Sequence, residues 1–203
     1  GVSLQSATSH YFGQKFSIPF NVKFVDRNNK IQNVYQTSWG ASSRMIGALI
    51  MVHGDDNGLI LPPKIAPKQI VIATIRNDEK VLDVASKLEK QLKEQGYRTI
   101  LDTSDKSAGF KFAEYEMKGV PLRIEIGPRD IANGHVVMAR RDNGEKEIVD
   151  IDKVIERAKI LLDDIQISMY EKALKHTEER TYTCTNLDEV RKIMNTKPGF
   201  IKA

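Results

Sequence analysis

Three stretches of this sequence gather side chains able to do chemistry at close spacing. Gln5-Ser6-Ala7-Thr8-Ser9-His10 sets an amide, hydroxyls and an imidazole within six residues. Such groups can hydrogen-bond a ribose, a phosphate-bound metal or an amino-acid ligand, though a polar loop with one surface histidine would look the same. Tyr35-Gln36-Thr37-Ser38-Trp39-Gly40-Ala41-Ser42-Ser43-Arg44 places the only tryptophan just before a cation at a helix start. A cation opposes the helix dipole there, so Arg44 gains nothing locally and makes sense facing a polyphosphate. The alternative is a surface arginine beside a core tryptophan. No GxxxxGK[ST] run occurs, which argues against a Walker-type nucleotide loop. The third stretch runs from Phe110 to Asp130 and clusters aromatic and charged side chains at a helix end and an adjoining strand. Glu can accept from a base amino group, Arg can donate two bonds to a guanine edge, and aromatics can stack on splayed bases. A solvated helix face feeding a strand is the plainer reading. Arg140-Arg141 and Lys146 add basic groups that could hold phosphates, or merely solubilise a hairpin. Asp55-Asp56 lack the spacing of a metal site.

The elements that must position these groups follow from periodicity. Phe16–Val25 and Ile31–Ser38 read as strands of a hairpin across Asp26-Arg27-Asn28-Asn29-Lys30. Ser42 or Ser43 caps a helix through Val52 that is apolar nearly all round and therefore expected to be buried. A hairpin and one helix have open edges and no second layer, so further sequence is expected upstream. Leu61-Pro62-Pro63 marks a boundary. Beyond it, strands are expected at 69–75, 98–101, 122–126, 135–141 and 145–149, with helices over 78–94 and 107–118. Asn143-Gly144 is a strong hairpin signal for the last pair. The order β-α-β-α-β-β-β predicts an α/β domain with a mixed five-stranded sheet flanked by helices. A long helix from Asp152 to Lys175 follows, with Asp152 as its cap or first-turn acid, then a short helix over Leu187–Met194. The final 197–203 stop in mid-pattern, which suggests a cut there.

Composition bounds the function classes. The chain has 203 residues, 40% hydrophobic and 29% charged, as expected of a globular protein. Lys and Arg number 31 against 27 Asp and Glu, a net charge of +4 that is compatible with nucleic acid without demanding it. No apolar run approaches the ~20 residues of a membrane span, and no basic-then-apolar leader opens the chain. The single cysteine, Cys184, excludes an intrachain disulfide and reads as an ordinary cytosolic thiol.

Taken together, the strings Leu4–Gln14, Gln36–Gly40 leading to Arg44–Ala48, and Val52–Pro63 resemble the end of the catalytic domain of the prolyl-tRNA synthetase family. Lys118–Asp130 resembles that family's anticodon-binding domain. The similarity covers nearly the whole chain and points to the archaeal/eukaryal-like type. It implies three parts: residues 1–60 as a C-terminal remnant of an antiparallel class II catalytic sheet, 61–150 as the anticodon-binding domain, and 151–203 as the helical start of an appended domain. It implies ATP with substrate-bound Mg2+, L-proline and tRNA(Pro) as ligands, a cytoplasmic ligase that is a homodimer at full length, and no membrane. Zinc is implied only for a C-terminal cysteine cluster outside this sequence. By the same resemblance Arg44 is the catalytic and ATP-binding arginine, Gln5, Thr8 and Ser42 contact ATP or its magnesium, and His10 and Trp39 line the proline pocket. Glu116, Arg123 and Lys146 read anticodon guanines. The resemblance leaves this piece inactive alone. A free-standing anticodon-type RNA-binding module, without catalysis, accounts for residues from about Pro62 but not for the segment around Arg44. A different class II synthetase is disfavoured by the strings around His10 and Trp39.

Overall fold

In the computed structural model, residues 3–197 and 199–202 are described; Gly1, Val2, Pro198 and Ala203 lie outside them, so the expected terminal stretch 197–203 is covered only in part. Contacts divide the chain into two units, one running to Ala48 and one from Leu49 onward.

In the first unit, strand β1 (Ala7–Gly13) comes before β2 (Lys23–Val25), β3 (Ile31–Asn33) and β4 (Gln36–Ala41). The expected hairpin forms, but only as β2 against β3, three residues each. Its turn is built as its sequence suggests. Asp26 Oδ1 accepts from the amides of Asn28 and Lys30 at 2.8 and 2.9 Å, and Asn29 adopts a φ of 57°. The rest of the first run departs from a strand. Residues 14–21 wind into turns, because Pro19 has no amide for a ladder and Asn21 takes a φ of 56°. The second run continues instead into β4, which pairs antiparallel with β1, a strand that periodicity did not show.

Helix α1 (Arg44–His53) starts at Arg44, whose amide donates to Ser42 Oγ at 3.4 Å. The expected burial is not met: none of its residues is buried, and Ile46 and Met51 are 62% and 73% exposed. An all-round apolar helix needs a second layer, and a ribbon of short strands does not supply one.

The second unit holds the five-stranded sheet. Its elements are β5 (Ile70–Thr74), α2 (Glu79–Glu94), β6 (Thr99–Asp102), α3 (Ala108–Met117), β7 (Leu122–Ile126), α4 (Pro128–Ala132), β8 (His135–Arg140) and β9 (Lys146–Asp150). The strand order is β6-β5-β7-β8-β9, with β5 parallel to β6 and β7 and the other neighbours antiparallel. Asp78 caps α2 by accepting from the Val81 amide, and Ser107 caps α3 by accepting from Phe110. The short helix α4 was not expected; Gly127 and Pro128 read as a strand end, but Pro is at home in a first helical turn.

Helix α5 (Val154–Glu178) follows a 3-10 turn over Ile151–Lys153. Asp152 therefore sits in that turn and makes no side-chain cap; Glu156 is the acid of the first helical turn. On one sheet face, Ile70, Ile72, Leu122 and Ile124 pack with Leu88 and Leu92 of α2 and with Val154, Ala158 and Leu161 of α5. A division at residue 150 would cut through this single core. On the other face Val71 packs with Tyr115 of α3 and Val120. Beyond α5, β10 (Thr181–Thr183) and β11 (Phe200–Lys202) pair in parallel around α6 (Leu187–Thr196). Cys184 is buried there. No described helix is long and apolar enough to cross a membrane.

Candidate functional sites

In the first unit, β1 and β4 bring four expected residues together. Gln5, Thr8, Ser42 and Arg44 line one recess of about 280 Å³ with Ser6, Gly40 and Ala41. Register explains the meeting: Thr8 lies opposite Gly40, so the start of one strand faces the end of the other, where α1 begins. Arg44 Nη1 donates to Gln5 Oε1 at 3.5 Å. The recess thus combines one cation with hydroxyls and a side-chain amide, a polar set suited to an anionic group.

His10 and Trp39 are not brought to one place. His10 is opposite Ser38, while Trp39 is opposite Ser9. Side chains alternate along a strand, so the two project from opposite faces of the ribbon. His10 stacks on Phe12 with ring centres 5.4 Å apart, on the face shared with Thr8. Trp39 is 78% exposed on the other face. His10 and Trp39 therefore stand on opposite faces of this ribbon, because the spacing between 38 and 39 decides the face.

The third stretch converges more closely than the sequence suggested. Strand β7 alternates: Leu122, Ile124 and Ile126 go into the core, while Arg123 and Glu125 go to the face under α3. Arg123 Nη1 donates to Glu116 Oε1 at 2.8 Å and Arg123 Nε to Glu125 Oε1 at 3.0 Å. Lys146 Nζ donates to Glu125 at 2.9 and 3.2 Å. The register places Arg123 beside Ala139 and Ala139 beside Lys146, one row across three strands. The alanine is small enough to let the two cations converge on the carboxylate between them. Phe112, one helical turn before Glu116, lies beneath both cations, 4.3 Å from the Arg123 guanidinium carbon and 5.3 Å from Lys146 Nζ.

All three expected residues, Glu116, Arg123 and Lys146, thus form one cluster of alternating charge. Glu125 and Phe112 belong to it as well and were not singled out. The alternation of Arg123 and Glu125 within an otherwise apolar strand is the signal that points to Glu125. Burial separates the partners: Glu125 and Arg123 side chains are 8% and 9% exposed, Lys146 49% and Glu116 38%. Two open, opposite charges therefore flank a buried pair. The edge so formed offers carboxylate acceptors beside guanidinium and ammonium donors, with an aromatic face at hand, which matches the mixed donor and acceptor edge of guanine.

Under α3 lies a further buried cation. Lys111 is 1% exposed and its Nζ donates to the Thr74 carbonyl at 2.9 Å and the Asp102 carbonyl at 3.2 Å, tying the helix to the ends of β5 and β6. Tyr115, one turn later, has its hydroxyl pushed up to about 12 by burial and by the charge of Asp102. A recess of about 580 Å³ in the second unit lies elsewhere, between His53, Ile60 and the outer half of α5, and contains none of the expected residues. Burial, reinforced by nearby Lys172, pushes the His53 imidazole down. Among the described residues, no three His, Cys, Asp or Glu side chains gather as a metal-ligand set.

Residues 69–160 match the anticodon binding domain family. The match begins at β5 and ends within α5, in keeping with the shared core of sheet and helix. Over the whole chain, the sequence is 53% identical to a proline–tRNA ligase of Clostridium novyi, 52% to proline–tRNA ligase 2 of Bacillus cereus and 50% to a proline–tRNA ligase of Ruminiclostridium cellulolyticum. The chain spans 42%, 43% and 42% of the length of these relatives. By sequence, the chain is similar to proline–tRNA ligases along its whole length, and its residues 69–160 resemble the anticodon binding domain family.

Proposed function

We propose that this chain serves a proline–tRNA ligase and that its second unit reads guanines in the anticodon of tRNA(Pro). The observation that carries the reading is the Glu116–Arg123–Glu125–Lys146 cluster over Phe112. Glu116 accepts from the N1 and N2 donors of a guanine, and Arg123 or Lys146 donates to its O6 and N7. The buried Glu125 keeps both cations in place, so little ordering remains to be done on binding. In the first unit, Arg44 with Gln5, Thr8 and Ser42 receives the phosphates of ATP with its Mg2+, and His10 faces proline. The whole ligase joins proline to ATP as prolyl-adenylate and passes it to the terminal ribose of the tRNA. It works in the cytoplasm as a homodimer. Residues 1–60 belong to the catalytic part, the anticodon-binding part begins at 61, and the residues beyond the α5 core begin an appended domain.

Adenylate formation depends on clamping the α-phosphate against a carboxylate. The recess at Arg44 contributes one cation to that clamp, so the 203-residue chain alone is proposed not to catalyse proline-dependent ATP–pyrophosphate exchange. The anticodon reading is tested by titrating the chain with tRNA(Pro) transcripts in which each anticodon guanine is replaced by adenine. Each replacement should weaken binding by about 1–3 kcal/mol, and Arg123→Ala should remove the preference. Equal affinity for all transcripts would overturn the reading.

A further inference from the structure

A conspicuous feature of the second unit outside these clusters is a strap across the end of α3. After α1 the chain makes a tight turn in which the amides of Asp55 and Gly58 each bond the other's carbonyl, at 3.0 and 3.1 Å. The amide of Leu59 then donates to the Met117 carbonyl at 3.0 Å and that of Leu61 to the Gly119 carbonyl at 3.3 Å. The approach is closer than side chains would permit: a Cβ on Gly58 would stand 2.5 Å from Met117 Cα. Arg141, at the end of β8, fastens the strap. Its guanidinium grips the Asp55 carboxylate with both terminal nitrogens, at 2.8 and 2.5 Å, while its Nε donates to the backbone carbonyl of Glu116 at 3.0 Å. The Arg141 side chain is 7% exposed.

One planar cation therefore joins the strap, the hairpin that carries Lys146 and the carbonyl of the residue that carries the recognition carboxylate. The terminal carbonyls of a helix have no partner within it, so a helix end is free to fray. The last turn of α3 is held by Arg141 at Glu116 and by the strap at Met117. We infer that Arg141, oriented by Asp55, is a positioning residue for guanine recognition: it holds the α3 end so that the Glu116 side chain meets the base, without touching RNA itself. Lysine cannot substitute, because the role needs a fork toward Asp55 and a third donor toward the carbonyl.

This inference rests on the anticodon reading, and the experiment separates the two. The probe is a stem–loop RNA with two adjacent loop guanines, compared with versions in which each is adenine, bound to the intact chain by fluorescence anisotropy. Glu116→Ala identifies the guanine it reads. At that same position Arg141→Met, Arg141→Lys and the milder Asp55→Asn should each lower the guanine-over-adenine preference, by roughly tenfold for Arg141→Met. The salt dependence of binding should be unchanged, since no phosphate contact is lost. Glu116→Ala with Arg141→Met should be no worse than Glu116→Ala alone. Asp55→Asn keeps the buried arginine and the turn, so it remains informative even where Arg141→Met fails to fold. Wild-type preference in Asp55→Asn, or additive losses in the double variant, would overturn the strap's role while leaving the anticodon reading intact. An undiminished preference in Glu116→Ala would overturn both.

Discussion

The Glu116–Arg123–Glu125–Lys146 cluster is stabilised unequally by its members. Glu125 is nearly closed off from water and bears two cations, so Glu125→Gln places amide hydrogens where a carboxylate accepted. Breaking a buried pair leaves a stranded charge, and a loss of about 3 kcal/mol is expected in urea unfolding. Lys146 is half exposed, and Lys146→Ala should cost under about 1 kcal/mol while still weakening guanine binding. Asp55 carries a distinct pH signature. The hydrogen bonds from Arg141 hold its carboxyl at about 2, below the 3.8 of an unfolded chain. Its folded pKa is depressed, so the stability it adds is fully present above about pH 4 and lost as pH falls through about 2. With the Asp55 side chain 40% exposed, solvent screening keeps that contribution modest. Asp55→Asn should therefore lower the urea midpoint at pH 7 and match the wild type below pH 2. At this scale the sequence was legible where a residue type stands alone, as Arg44 does at a helix start. It was less legible for Asp55, which lies 86 residues from the arginine that gives it a role. Glu125 was hidden for a related reason: its partners come from β7 and β9, and only the sheet register shows that one small alanine lies between them.

At the scale of elements, the alternation of apolar strands and amphipathic helices was readable from Gln69 to Lys175. There each helix covers a continuous sheet, and local pattern and tertiary packing agree. It failed in the first unit, where Pro19 and Asn21 at positive φ redirect a β-rich run, and where β1 pairs with β4 across more than twenty residues. The same dependence on distant partners put His10 and Trp39 on opposite faces. Two glycines carry the joint between the strap and α3. Gly119 has a φ of +70°, and a Cβ on it would lie 2.6 Å from Leu59 Cβ. Gly119→Ala meets both a backbone conformation that L side chains avoid and a direct clash. A loss of about 2 kcal/mol or more is expected by thermal or urea unfolding. Gly96→Ala is the matched control: its φ of +85° carries the same backbone strain, but nothing lies within 4 Å of the added methyl. The difference between the two variants measures the closeness of the strap rather than the conformational preference of glycine.

At the scale of the whole chain, the two units differ in how they could be stable. The second has a core that runs through sheet, α2 and α5, with side chains such as Ile70, Leu122, Ile124 and Ile165 wholly or almost wholly removed from water. Among the described residues of the first, Ser17 alone is buried, while Tyr11, Phe20, Trp39 and Ile46 are each more than 60% exposed. Burial of apolar area, at about 25 cal/mol per Å², is the main term opposing chain entropy, and two short ribbons bury too little to offset it. The expectation is therefore asymmetric. A chain beginning at Leu49 should unfold in one cooperative transition with slowly exchanging amides in β5, β7 and β8. A peptide of residues 3–48 should show no cooperative transition and little amide protection. The cut must spare the strap, since Asp55, Gly58 and Leu59 hold the end of α3. Beginning the chain at Lys64 instead removes those contacts together with Arg141's carboxylate, and should lower the midpoint well below that of the chain from Leu49. Equal midpoints for the two truncations would show that the strap adds no stability, and a cooperative transition in residues 3–48 would show that exposed aromatics there pack in a way burial does not reveal.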